Sequence, residues 1–360
     1  MKHLLRGLLF CGLLLADLLS AGEILRVFTW SGYVLPEEVD AVNKILKEKG
    51  YDITVQVIKP WAEGPEQMYK IIRAGDCDVS FLTLNYIKMQ GEKTAKLLQP
   101  INVNSPRLTN YAKLNKKLTG IEMGMTGGKP LYIPYGGGAY GIWGNMKKLK
   151  ETDLPKSIND LFDAKWKGKI SLTKGQVQPN IALVMMSLDK PPFYLNDLIV
   201  SGKRNEAMNL CEDDGLFQKR TNALYAQVAS FWSDVPVFKD EYLLVSCYGI
   251  EIAGENAKGG KWKIVKFKEG NTVWMDTMNF MKELAGKKLE AAEIFANYMI
   301  GKEVQTRVVE GLSMVSVSTL VASNPLIDED PDFFKPNMFW QPYDLKADNL
   351  MLKLSNNALK

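Results

Sequence analysis

The chain has 360 residues, of which 46% are hydrophobic, 24% charged and 10% aromatic. This is an ordinary globular mixture, long enough for two sizeable cores, and it excludes disorder, collagen and coiled coil. The formal charge of +4, from 45 Lys and Arg against 41 Asp and Glu, is too small an excess to bind nucleic acid through a basic face.

Lys2 and Arg6 precede an apolar run from Leu8 to Ala16, and Ser20-Ala21-Gly22 offers small residues for cleavage. The run is shorter than the ~20 residues that span a bilayer. Residues 1–22 therefore read as a secretory signal peptide, which places the mature chain in the periplasm. Asp17 argues against an uncleaved anchor, and Leu8-Leu9-Phe10 before Cys11 lacks the small residues that precede a lipidated cysteine. The only histidine, His3, leaves with the leader. A mature chain without histidine excludes Ser-His and Cys-His catalysis and His-ligated metals. Cys77, Cys211 and Cys247 remain, which allows at most one disulfide: either one bridge, with Cys211–Cys247 a candidate, or three buried thiols.

Ile24 to Trp30 reads as a strand, rich in β-branched and aromatic residues. Pro36-Glu37-Glu38 starts a helix, proline suiting the first turn and acids the positive end of the dipole. Val39, Val42, Ile45 and Leu46 form its apolar stripe, and Gly50 closes it. Tyr51–Ile58 alternates as a second strand, Pro65–Ala74 is a helix stopped by Gly75, and Cys77–Leu82 is a third strand. This order predicts an α/β fold with a parallel sheet and right-handed crossovers. Further strands are expected at Leu131–Tyr135, Tyr140–Trp143, Lys169–Leu172, Tyr242–Tyr248 and Lys263–Phe267. A single long helix is expected from Leu289 to about Val309, then an irregular aromatic tail with a last helix. No linker separates two domains, so the chain is expected to cross between lobes by strands.

In open α/β sheets ligands bind beyond the carboxyl ends of the strands. The segments there are Thr29-Trp30-Ser31-Gly32-Tyr33 after the first strand and Thr83-Leu84-Asn85-Tyr86 after the third. They hold aromatics and hydroxyls rather than a phosphate cradle, and Trp30 is either a core residue or part of an exposed turn. Gly136-Gly137-Gly138-Ala139-Tyr140-Gly141 fits G-x-G-x-x-G, but a strand pattern follows it where a dinucleotide site needs a helix. It reads as a glycine-rich bend between lobes. Trp274 and Asp276 stand two apart in a strand pattern and so share a face. An aromatic surface beside a carboxylate suits an ammonium group. No G-x-S-x-G elbow and no P-loop occur, and nothing points to a cofactor or a metal.

Together these segments resemble the bacterial spermidine/putrescine-binding proteins, the solute receptors of polyamine ABC importers. Val27-Phe28-Thr29-Trp30-Ser31-Gly32-Tyr33-Val34 is similar to the family's Asn-Trp-x-x-Tyr opening, with Thr29 in place of the asparagine. In family order follow Cys77-Asp78-Val79 through Tyr86, Ile133-Pro134-Tyr135-Gly136 with Tyr140-Gly141-Ile142, and Asn159-Asp160-Leu161-Phe162 with Lys165-Trp166-Lys167-Gly168. Val273-Trp274-Met275-Asp276 and the Ala292 to Met299 helix complete the series.

The resemblance implies a two-lobed type II periplasmic binding fold, with residues 23–135 and 275–318 in one lobe and 136–274 and 319–360 in the other. It implies that Trp30, Ser31 and Tyr33 wall an interlobe ligand, that Thr83 and Tyr86 give hydroxyl contacts, and that Trp274 and Asp276 grip an amine. Departures lie at the other end. The stretch Ser171 to Gln178 carries Lys174 where the family has acids, and Cys247-Tyr248-Gly249 stands where it has a tryptophan. Tyr248 and Glu251 are the substitutes there.

The expected protein is a monomeric receptor that binds a polyamine or related small amine and hands it to an inner-membrane ABC permease. It is expected to be no enzyme, to need no cofactor and to bind no nucleic acid. A sensory receptor of the same fold and a carboxylate-type hydrolase are the alternatives; a neighbouring permease gene argues against the first and absence of turnover against the second.

Overall fold

The computed structural model describes residues 22–89, 92–233 and 235–360. The leader expected over residues 1–22 thus lies, except for Gly22, outside the described residues.

The chain opens with β1 (Glu23–Phe28), α1 (Pro36–Glu48), β2 (Ile53–Val57), α2 (Pro65–Ala74) and β3 (Val79–Thr83). Both helices begin at proline with acids in the first turn. In α1, Val42 and Leu46 are fully buried while Val39 and Ile45 are partly covered. Gly75 ends α2 at φ +72°, a left-handed cap open to glycine without steric cost. β1 runs parallel to both β2 and β3, as the β-α-β-α-β order predicts.

A two-residue hairpin, β4 (Met125–Thr126) and β5 (Lys129–Pro130), leads into β6 (Ile133–Asn145). Next come β7 (Ile170–Thr173), the helices α3 (Gln178–Met186), α4 (Tyr194–Val200), α5 (Arg204–Leu210) and α6 (Leu216–Tyr225), then β8 (Val228–Trp232) and β9 (Leu244–Cys247). After them stand α7 (Ile252–Ala257), β10 (Trp262–Ile264), β11 (Thr272–Phe280), α8 (Gly286–Met299), α9 (Lys302–Leu312) and β12 (Val315–Ser316). The tail holds α10 (Pro325–Glu329) and α11 (Leu345–Ala358).

The main sheet runs β2-β1-β3-β11-β6-β9-β7-β8, with β10 and β12 also on β6. β11 lies antiparallel to both β3 and β6. The first part of β6, Ile133 to Tyr140, pairs with β11, and the second, Gly141 to Gly144, pairs with β9. One strand therefore ties both halves of the sheet together. The buried apolar side chains run through this junction as one large cluster, with a small satellite around Trp143, Tyr242, Val245 and Trp262.

Two expectations need correction, and of the two cysteine alternatives the three buried thiols hold. The glycine-rich stretch is no bend: Gly136 to Gly141 lies inside the continuous strand β6. Its glycines answer to packing, because a Cβ on Gly138 would stand 2.7 Å from the Trp274 ring and one on Gly137 2.9 Å from the Phe334 ring. The long helix after Leu289 is two helices, since the chain breaks at Ile300-Gly301 and Gly301 becomes the N-cap of α9. No Cys211–Cys247 bridge forms; Cys77, Cys211 and Cys247 are all free and buried. Burial pushes the thiols of Cys77 and Cys211 up to about 12, so they are inert at neutral pH.

Gly138→Ala is expected to cost about 1–3 kcal/mol through overpacking against the indole. Gly120→Ala, where nothing lies within 4 Å of the added Cβ, should be nearly neutral. Urea unfolding midpoints of the two variants check this.

Candidate functional site

β1 and β3 are parallel neighbours, so the loops after them leave the sheet at the same edge. β11 returns alongside β3 with Asp276 directly opposite Thr83. After β1 the chain makes a tight turn in which the Tyr33 N–H donates to the Trp30 carbonyl at 3.3 Å. Gly32 takes φ +79° there, the left-handed third position that a type II turn reserves for glycine. The turn brings the Tyr33 hydroxyl onto Asp276, where it donates to Oδ2 at 2.5 Å. Both side chains are buried, at 2% and 4% exposure.

Burial raises the Asp276 carboxyl to a pKa of about 6, against the opposing pull of the Thr83 and Tyr33 hydroxyls. Thr83 lies close enough to act on the carboxyl but makes no hydrogen bond of standard geometry to it. Oδ1 of Asp276 is left buried without a partner among the described residues. Tyr33 is pushed far up by burial and then by the negative charge of Asp276, so it stays a donor. Tyr86, just after β3, is raised by burial and also by the negative charge of Asp276.

A second carboxyl completes the polar lining. Glu251, the residue before α7, is raised by burial and has Oε2 buried and unpartnered among the described residues. Its charge reaches both Tyr33 and Tyr248. Neither Asp276 nor Glu251 forms an ion pair with a described residue. Burying a carboxylate with an unmet oxygen is costly, which is why such groups ordinarily find a cation or a donor.

Aromatic residues stand at neighbouring positions of the fold. Trp274, two residues before Asp276 on β11, sits opposite Gly138, whose missing side chain makes room for the indole. The Tyr248 backbone lies on the same glycine. The Tyr248 ring packs edge-on against Tyr140 at 5.2 Å, and its hydroxyl donates to Gln176. Trp30 is half-buried just past β1, neither in the core nor free, and the indole nitrogens of Trp30 and Trp274 have no partner among the described residues. Cavities of about 220 Å³, walled by Trp143, Ile252, Trp262 and Leu326, and about 370 Å³, walled by Ile45, Arg107 and Tyr298, lie elsewhere and include no residue of this group.

The structure thus brings Tyr33, Thr83, Tyr86, Trp274 and Asp276 together, with Tyr248 and Glu251 across from them. Ser31 is exposed on the turn and hydrogen-bonds to none of them. Lys174 is exposed too, its backbone N–H engaged by Trp232, and Gln176 from the same loop reaches the group instead. Sequence reasoning missed Gln176, Asn85 and Tyr343. The Asn85 side-chain amide donates to the Gln341 carbonyl at 3.3 Å, and among the described residues its own oxygen and the buried Tyr343 hydroxyl have no partner. Tyr343 lies within electrostatic reach of Tyr86 and Tyr248. Its only signal in sequence is the aromatic tail.

Residues 88–335 match the model of the bacterial extracellular solute-binding proteins, and the chain belongs to that family. No curated protein matches it in sequence. Among solved structures it is similar to the spermidine/putrescine ABC transporter substrate-binding protein PotD from Streptococcus pneumoniae, at 16% identity, TM-score 0.68, over 93% of this chain and 99% of that one. The Tp0655 (TpPotD) lipoprotein of Treponema pallidum is similar at 12% identity and TM-score 0.67, over 93% and 99%. The Atu4243 GABA receptor follows at 15% and 0.61, over 94% and 97%. The fold is the two-lobed type II periplasmic binding fold, as expected. Among the described residues no helix is long and apolar enough to cross a membrane.

Since Asp276 has a folded pKa above its unfolded value near 3.9, its contribution to stability is full below about pH 4 and is lost as pH rises through about 6. Asp276→Asn, which keeps the Tyr33 bond without the charge, should stabilise the ligand-free protein at pH 8 by about 2–3 kcal/mol. It should also flatten this part of the pH profile, as read by urea unfolding between pH 4 and 8.

Proposed function

We propose that this solute-binding protein captures a small amine, a polyamine or a related compound, between its two lobes and delivers it to an inner-membrane ABC permease. It would act outside the cytoplasm, after removal of the leader. The observation that carries this reading is the buried Asp276 carboxyl, held on one oxygen by Tyr33 and unmet on the other, with Trp274 on the same strand face. An ammonium group placed there satisfies Oδ1 with a charged hydrogen bond, about 1.5–3 kcal/mol, and gains about 0.5–2 kcal/mol over an indole face.

The lobes are taken as residues 23–135 with 275–318 and residues 136–274 with 319–360, and β6 and β11 are the strands that cross between them. A ligand would enter when the lobes part and be enclosed when they close. A solute that contacts both lobes binds the closed form better and shifts the population by that difference. No bond is made or broken.

Across from Asp276, Glu251 offers a second buried carboxyl oxygen without a partner among the described residues, beside neutral groups. Gln176 and Tyr248 are hydrogen-bonded to each other, and Tyr343 and Asn85 carry unpartnered oxygens. Two carboxyls with unmet oxygens suit a ligand with more than one positive group, and Asp276, the more fully buried of the two, is the principal anchor.

Calorimetry with putrescine, spermidine, 4-aminobutyrate and glycine betaine tests the reading. At least one primary amine should bind stoichiometrically without turnover. Asp276→Asn should weaken it by roughly 10- to 150-fold and Trp274→Ala by roughly 2- to 30-fold, while Lys174→Asp should have little effect. Failure of every amine to bind, or indifference to Asp276→Asn, would overturn it.

A further inference from the structure

The Tyr33–Asp276 contact depends on a turn, and that turn has its own anchor. Arg307, on α9, donates from Nη1 to the Gly32 carbonyl at 3.1 Å and from Nη2 to the Tyr33 carbonyl at 2.8 Å. The same guanidinium grips both oxygens of Glu38, at 2.7 and 3.0 Å. Glu38 is 6% exposed and also accepts from the Leu35 N–H at the start of α1. Tyr135 joins the assembly: its hydroxyl donates to the Tyr33 carbonyl at 2.7 Å, and its ring lies 5.1 Å from that of Tyr33.

Tyr135 is itself a special position. Asp276 pairs with Gly136 and Thr277 with Pro134, so Tyr135 is the extra residue of a β-bulge beside Asp276. Bulges re-aim neighbouring side chains. The bulge is pinned by the residue two before Arg307: Gln305 donates to the Tyr135 carbonyl at 2.8 Å and accepts from Ser316 and Val317. Two residues of α9 therefore hold the bulge next to Asp276 and the turn that carries Tyr33.

We propose that Arg307 is a positioning residue of the amine site, fixing the Gly32–Tyr33 backbone so that the Tyr33 hydroxyl stays on Asp276. It touches no ligand and acts through Tyr33. The planar guanidinium suits this task because its fork reaches the carboxylate and the two carbonyls at once, which a single lysine nitrogen cannot do. The inference rests on the reading of Asp276 as the amine anchor, but its test uses no ligand.

The groups that face Asp276 are Tyr33 from the turn after β1, Thr83 and Tyr86 from the end of β3, and Tyr135 from β6, with Glu251 acting on Tyr33 from the start of α7. Of these, Tyr33 alone hydrogen-bonds to the carboxyl with standard geometry. Losing a hydrogen bond to the charged form raises a carboxyl pKa.

Carbon-13 NMR titration of the Asp276 carboxyl in the ligand-free protein decides the matter. Arg307→Lys should raise the midpoint by roughly half a unit to one unit, Tyr33→Phe should raise it at least as much, and Tyr33→Phe with Arg307→Lys should raise it no further. Tyr135→Phe, which removes one support of the turn and leaves the Glu38 pair intact, should give a smaller rise; it decides the question if Arg307→Lys does not fold. An unchanged midpoint in Arg307→Lys, an added rise in the Tyr33→Phe background, or, where Arg307→Lys does not fold, an unchanged midpoint in Tyr135→Phe overturns the proposal. Failure of amines to bind counts against the proposed function alone.

Discussion

The structure turns on one half-satisfied carboxyl. Asp276 is buried in the middle of the sheet, with the Tyr33 hydroxyl on one oxygen and, among the described residues, no hydrogen-bond partner on the other. A domain selected for stability alone would place an asparagine or an apolar residue there, because a buried charge without a partner is among the costliest features a fold can carry. Keeping the acid makes sense when a cation arrives from outside. On the proposed reading, the tyrosines, threonine and indole of the candidate site form a shell that a positively charged guest completes.

The surrounding architecture serves that arrangement. β11 carries Asp276 and Trp274 into the centre of the sheet, flanked by β3 on one side and β6 on the other. β6 passes from one half of the sheet into the other without a break. Gly138 on β6, opposite Trp274, leaves room for the indole, and the bulge at Tyr135 adjusts the register next to the acid. β6 and β11 thus both tie the two halves of the sheet together and carry residues of the candidate site.

Much of this was legible in the sequence, and the failures have physical causes. The opening β-α-β-α-β unit is written locally, in proline and acidic helix starts, glycine stops and alternating strands, and the structure follows it. The two-residue spacing of Trp274 and Asp276 also survives folding, because strand periodicity is rigid. The stretch from Gly136 to Gly141 misleads because glycine has two uses: it frees the backbone at turns, and it vacates space where another side chain must lie. Only the distant Trp274 and Phe334 tell which use applies. The break at Gly301 is hidden by apolar residues that continue in helical register on both sides. Gln176, Tyr343 and Arg307 reach the site from loops and helices far along the chain, and no spacing rule connects residues 276, 33 and 307. Cysteine counting left a bridge open that the fold does not make.

The most direct measurement is a crystal structure of the protein grown with a bound primary amine. The account predicts the amine nitrogen within hydrogen-bonding distance of Oδ1 of Asp276, over the face of Trp274, with the Tyr33 hydroxyl still on Oδ2. An amine seated elsewhere, or a ligand that presents only neutral or negative atoms to Asp276, would contradict it.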